Sequence, residues 1–167
     1  MCRLAVFPVN LISKGDILDI LQDMEGVRTG HGFGYGFVRE DQFISRKTSL
    51  PLSEILKKKS YKDFFGDCFN HDGLVMFHSR KASHGEVSYR NCHPFESKNY
   101  LFMHNGSFNE CSLVEALLGD EIKYKSETDT EVCLHFLEKI GVKKFQLVVK
   151  DSGVFLAMEK TGNLNVF

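Results

Sequence analysis

Tryptophan is absent from the 167 residues, proline occurs three times, and no two of the five cysteines form a C-x-x-C pair. The odd, scattered set (Cys2, Cys68, Cys92, Cys111, Cys133) suggests neither a zinc ribbon nor a disulfide framework. Free thiols fit a reducing cytosol, so a cytoplasmic location is expected. No Pro/Ser-rich linker, internal repeat or low-complexity tract divides the chain, and one domain over residues 1–167 is expected. No apolar run nears the ~20 residues of a membrane-spanning helix. The opening MCRLAVFPVN lacks a basic leader and a cleavage site, so it reads as a first strand. Neither sign of charge dominates: 21 basic against 22 acidic residues leave −1. That balance gives no general attraction to nucleic acid or to an anionic membrane.

What is present suits a folded core. Apolar residues make up 43% and charged residues 26%, which excludes disordered, collagen-like and coiled-coil chains. Leu4–Val9 has strand composition. A helical spacing of apolar residues runs from Asp16 to Met24 and stops at Gly26. Gly32–Arg39 and Phe43–Arg46 suggest a strand pair, and Pro51–Lys59 a short helix with a solvated lysine end. Strands are predicted at Leu74–Arg80 and Tyr100–His104, helices at Ser112–Leu118 and Thr130–Ile140. Three last strands, Phe145–Lys150, Val154–Glu159 and Leu164–Phe167, are predicted with hairpin turns at Asp151–Gly153 and Thr161–Asn163. Consecutive strands with short connections argue for an α+β fold with antiparallel sheet.

Several polar groupings carry possible chemistry. Cys2 in isolation is a small residue opening a strand. Once Met1 is removed, however, its thiol and a free α-amine share one carbon. An α-amine with a pKa near ~7.7–8.0 can accept the thiol proton at neutral pH, so the nucleophile brings its own base. Glycine at every second position from Gly30 to Gly36 bares one strand face, allowing close approach of a backbone or ligand; a dinucleotide fingerprint needs other spacing. His78-Ser-Arg-Lys-Ala-Ser-His84-Gly85 ends a strand either as a surface turn or as a site where Arg80 offers a planar fork to a carboxylate. Cys92 and His93 lack zinc-ligand spacing, and no metal or other cofactor is expected. Asn105-Gly106 is a tight-turn signal that could equally hold an oxyanion. Thr128 and Glu131 form a capping box, and Asp129 alone is explained by the helix dipole.

In this order, Met-Cys2-Arg, H-G-F-G, H-S-R-K-A-S-H-G-E, N-C-H-P-F, L-F-M-H-N-G and S-E-T-D-T-E resemble the class II glutamine amidotransferase domain of the amino-terminal-nucleophile (Ntn) hydrolases. The resemblance runs from Cys2 to about Glu131 and continues plausibly into the last strands. It implies an αββα sandwich of antiparallel sheets, which could be trimmed at the C-terminal end. It implies Cys2 as nucleophile and Asn105 with Gly106 as oxyanion hole. It further implies Arg80 on the substrate α-carboxylate, Ser83, His84 and Gly85 lining that end of the pocket, and Asp129 on the α-ammonium. A γ-glutamyl group presents one carboxylate, one ammonium and one scissile carbonyl, which these residues match in charge and polarity.

His31 and Lys81 depart from the family, standing where many relatives have aspartate and where the sugar-phosphate amidotransferases have tryptophan. The M-C-R start, N-C-H-P-F and L-F-M-H-N-G look closest to stand-alone relatives, some of which hydrolyse γ-glutamyl amides. The expected activity is therefore cysteine amidohydrolysis of glutamine or a γ-glutamyl amide. A glutaminase subunit feeding ammonia to a separate synthase, and a silent γ-glutamyl-binding protein, stay open as alternatives.

Overall fold

The computed structural model describes residues 2–26, 30–59, 61–66 and 68–167. Two four-stranded antiparallel sheets lie face to face. The first joins β1 (Arg3–Pro8), β2 (Phe33–Arg39), β3 (Gln42–Thr48) and β4 (Leu74–Ser79) in the order β1-β4-β2-β3. The second joins β5 (Phe95–Glu96), β6 (Tyr100–Gly106), β7 (Gly153–Glu159) and β8 (Leu164–Val166) in chain order. Strand alternation sends one face of each sheet inward. Met76, Leu101, Met103, Leu156 and Met158 fill the space between, with Leu4, Val6 and Val38 packed on them.

The outward faces are covered by helices. Phe33, Tyr35, Phe37 and Phe77 of the first sheet pack with Ile17, Leu21, Leu52 and Phe65 from α1 (Lys14–Glu25), α2 (Leu52–Lys57) and α3 (Tyr61–Phe65). Phe102 and Phe155 of the second pack with Val114, Leu137 and Phe145 from α4 (Cys111–Leu118), α5 (Asp129–Ile140) and α6 (Val142–Val148). The result is the expected α+β architecture in αββα layers. No helix among the described residues is long and apolar enough to cross a membrane.

Caps set the helix limits. Ser13, not Asp16, begins α1: its Oγ accepts from Asp16 N–H at 3.1 Å. Gly26, at φ 52°, closes the helix by donating its N–H to the Gln22 carbonyl. The buried Glu25 carboxylate reaches across to the start of α2, accepting from Leu52 N–H and from Ser53 N–H at 2.9 Å.

The alternate-glycine face is where the second sheet's leading segment comes closest. A methyl group on Gly34 would collide with the His93 carbonyl, and one on Gly32 with Cys92 Sγ. Lys47 of β3 pins this segment by donating to the Cys92 and Pro94 carbonyls, at 2.8 and 3.1 Å. Burial lowers its ammonium pKa.

Four local expectations are corrected. Phe145–Lys150 is no strand; α6 covers most of it. Phe145 and Val149, one helical turn apart, are buried, whereas Leu147 is 81% exposed and would have faced inward with them in a strand. Asp151–Gly153 consequently joins a helix to β7, not two strands. Asn105 and Gly106 are not a hairpin turn: they end β6, opposite Val154 and Gly153. The Thr128 capping box does not form. Glu131 instead accepts from Lys125 N–H at 3.0 Å and Ser126 N–H at 2.6 Å, because the preceding turn folds back to it first.

Candidate active site

Antiparallel pairing brings the start of β1 beside the end of β4, so Cys2 and Arg80 continue the register in which Arg3 faces Ser79. Across the sandwich, β6 ends at Gly106 and α5 begins at Asp129. These ends meet around a small cavity of about 30 Å³ lined by Cys2, Arg80, Ser83, His84, Gly106 and Asp129, among others. Asn105 and Gly85 are near it in the chain but do not line it. Met1, whose removal the nucleophile reading requires, lies outside the described residues. A second cavity of about 400 Å³ shares the wall formed by His84, Thr128 and Asp129 and extends over Phe108, Cys111 and Tyr124.

Cys2 Sγ accepts a hydrogen bond from Lys81 N–H at 3.3 Å. Burial pushes its thiol up, outweighing that N–H and the Arg80 charge, which favour the thiolate. The thiol therefore stays protonated until a base removes the proton. Burial acts on the other cysteines in the same direction. Burial pushes Cys68 to about 12 and raises Cys92 and Cys133, and burial beside Asp129 and Glu115 pushes Cys111 to about 11.

Arg80 is only 2% exposed. Its guanidinium donates to the carbonyls of His84 at 2.9 Å and Glu86 at 3.1 Å, so it gathers its own loop around the cavity. His31 accepts from Ala82 N–H through Nδ1 at 3.0 Å and supports the same loop.

Asp129 turns away from its own helix, toward the end of β6. Its Oδ2 accepts from Phe108 N–H at 2.9 Å, and Oδ1 lies 3.6 Å from His104 Nδ1. Burial alone would raise this carboxyl, but His104 and the Phe108 and Thr130 backbone N–H groups hold it below the usual carboxylate value. Dipole balance, which sufficed for Asp129 in the sequence, thus understates its connections. Gly106 is required as glycine: a Cβ there would strike the Ser152 carbonyl. The Asn105 Oδ1 atom is buried with no hydrogen-bond partner among the described residues; as an acceptor it calls for a donor, and only the amide N–H of this side chain could meet an oxyanion.

Three histidines beside the cavity went unassigned in the sequence. His78 and His93 stack at 3.8 Å between ring centroids. His78 Nε2 lies 3.2 Å from the His104 carbonyl, and His93 Nε2 lies 2.9 Å from Thr130 Oγ1. Burial brings His78 down to about 3 and lowers His93 well below the ordinary imidazole value, so both are neutral. The available signal was the period of β4, which puts His78 on the same face as the inward-facing Met76. Among the described residues, no three His, Cys, Asp or Glu side chains converge as a metal site would require.

Comparison with known proteins identifies the family. The family model for class II glutamine amidotransferases matches residues 49–162. The glutamine–fructose-6-phosphate aminotransferase (isomerizing) of Pectobacterium atrosepticum is 30% identical over 135 residues, covering 77% of this chain and 21% of that protein. Its namesake from Francisella tularensis is 42% identical over 76 residues, 45% of this chain and 12% of that protein. The solved glutamine phosphoribosylpyrophosphate amidotransferase of B. subtilis superposes with a TM-score of 0.60 at 19% identity, covering 96% of this chain and 35% of that one. The chain spans about a fifth or less of the length of these two aminotransferases.

Proposed function

The chain belongs to the class II glutamine amidotransferases, and from that premise we propose that it is a cysteine amidohydrolase cleaving the γ-amide of glutamine or of a γ-glutamyl compound. The observation that carries this reading is the single cavity to which one sheet contributes Cys2 and Arg80 and the other layer Gly106 and Asp129. A cation, an anion and a thiol at one site match the ends of a γ-glutamyl group.

In this reading the α-amine of Cys2, exposed by loss of Met1, takes the thiol proton. Sγ then attacks the γ-carbonyl carbon, and the carbonyl π pair moves onto oxygen. Gly106 N–H and the Asn105 carboxamide hold that oxyanion. As it collapses, the C–N bond breaks, and the departing ammonia or amine takes the proton from the Cys2 ammonium. Water, deprotonated by the same amine, attacks the thioester and releases glutamate and the free thiol. Arg80 and Asp129 hold the α-carboxylate and α-ammonium throughout, and Ser83 and His84 complete that wall. The neighbouring cavity of about 400 Å³ offers room for a substituent beyond the glutamyl group.

A second reading, release of ammonia to a separate synthase, is favoured by the named activities of the relatives, which are aminotransferases many times the matched length. Both readings share the thioester chemistry and differ in where the ammonia goes. The test is steady-state turnover of L-glutamine against a panel of γ-glutamyl amides and peptides, by protein whose first residue is verified as Cys2. Turnover that vanishes in Cys2→Ala supports the proposal. Its persistence in that variant, or no turnover of any γ-glutamyl compound, refutes it.

A further inference from the structure

Arg80 and Asp129 come from different layers, yet hydrogen bonds run from Arg80 to Glu127, two residues before Asp129. Arg80 donates to the Glu86 carbonyl at 3.1 Å. The same carbonyl accepts from Asn91 Nδ2 at 3.0 Å, and Asn91 Nδ2 also donates to Glu127 Oε2 at 3.0 Å. Glu127 N–H returns a bond to Asn91 Oδ1 at 2.9 Å. Two residues later stands Asp129. Glu86 N–H donates to Glu127 Oε2 at 3.1 Å, and Arg90 pairs with Oε1 at 2.7 Å.

Asn91 is fully buried, which an amide tolerates when its polar atoms are engaged, as here. Gly85 is fitted to the same pair. At φ +69° its Cβ position would lie 2.8 Å from Asn91 Nδ2 and 3.0 Å from Glu127 Oε2, so the loop settles there only as glycine. Gly85 thus seats the loop, which explains why it does not line the cavity.

We propose that Asn91, through its reciprocal bonds with Glu127, is a positioning residue that fixes Arg80 relative to Asp129 and so makes the site selective for one hand of an α-amino acid head group. The inference rests on the reading of Arg80 and Asp129 as receptors of the α-carboxylate and α-ammonium. Three fixed points (carboxylate, ammonium and scissile carbonyl) accept only one enantiomer. Loosening the link between two of them acts on binding of the head group more than on chemistry at Cys2.

The test uses the full chain. Binding of L-glutamine is measured by calorimetry in a Cys2→Ala background, and kcat and KM for L- and D-glutamine in the chain that keeps Cys2. Asn91→Asp sets a carboxylate against both the Glu86 carbonyl and the Glu127 carboxylate; Glu127→Ala removes the acceptor that Asn91 and Glu86 N–H share. Combined, the two substitutions break the same link that each breaks alone. Each single variant should bind L-glutamine about tenfold more weakly and lose much of the L-over-D preference, with kcat within about threefold of the parent. The combination should bind about as weakly as the weaker single variant, because one link is broken only once.

A combination whose losses multiply, to about a hundredfold, overturns the proposal. So does a narrowed stability margin with affinity and L-over-D preference intact, which marks a structural role only. Should Asn91→Asp fail to fold, Glu127→Ala at its exposed carboxylate decides alone, and unchanged affinity and preference there refute the inference. Failure of the Cys2→Ala parent to bind L-glutamine at all removes the reading of Arg80 and Asp129, and this inference with it.

Discussion

At the scale of single residues, two asparagines carry opposite signatures. The Asn91 side chain is engaged through both its oxygen and its nitrogen, whereas the Asn105 Oδ1 atom is buried without a partner among the described residues. The first is what a positioning role requires; the oxyanion reading of Asn105 rests on its amide N–H, since Oδ1 can only accept. Asn105→Ala should lower kcat by ~10²–10³-fold with KM little changed, because its partner charge exists only in the tetrahedral species. Arg80→Ala and Asp129→Ala should instead raise KM strongly, with a smaller loss of kcat through misplacement. Steady-state kinetics on folded variants separate the two groups, and a raised KM with normal kcat in Asn105→Ala would make it a binding residue. Cys2, Arg80 and Asp129 were legible because their chemistry is local to short motifs. Asn91 and Glu127 were not, since their roles arise only when residues 36 positions apart fold together. His31 and Lys81 were visible as departures, but only the fold shows His31 supporting the Arg80 loop.

Among the elements, β2 was the most informative in sequence and α6 the most misleading. Alternate glycines at 32, 34 and 36 announced a bare face, and that face receives the segment around Cys92 and His93. Gly34→Ala should therefore cost on the order of 1–3 kcal/mol or more, since backbone rather than a flexible side chain must move. Urea unfolding checks this, and an unchanged midpoint would mean that the sheets are not so closely packed there. Phe145–Lys150 misled because its β-branched and aromatic content suits a strand, while burial follows helical spacing. Asn105-Gly106 misled similarly: two residues that favour a tight turn are held in β6 by seven register pairs with β7. In both places tertiary packing overrode local preference.

For the whole molecule, the four layers were readable from strand count and the resemblance, and they explain why the site lies where strand ends of both sheets converge. That convergence also buries His78 and His93 as neutral imidazoles. The unfolded chain takes up these protons near pH 6.5, whereas the folded chain resists until about 3 at His78. The associated stability is complete above pH 6.5 and drains as pH falls toward that lower value, by about 1.4 kcal/mol per pH unit for His78, with His93 acting in the same direction. Denaturant midpoints between pH 6.5 and 5 should fall with this slope, and His78→Gln should flatten it. A slope unaffected by that substitution would place the acid sensitivity elsewhere.

The central claim is that the thiol of Cys2 attacks a γ-glutamyl carbonyl held between the two sheets, and it is tested most directly by covalent capture. Protein with Cys2 verified as the first residue is treated with an electrophilic diazoketone analogue of glutamine, and the adduct is located by peptide mass spectrometry. One adduct per chain, on Cys2, prevented by excess L-glutamine, is the predicted result. Labelling of Cys68, Cys92, Cys111 or Cys133 in preference to Cys2, or labelling of Cys2 that L-glutamine does not prevent, would contradict the account.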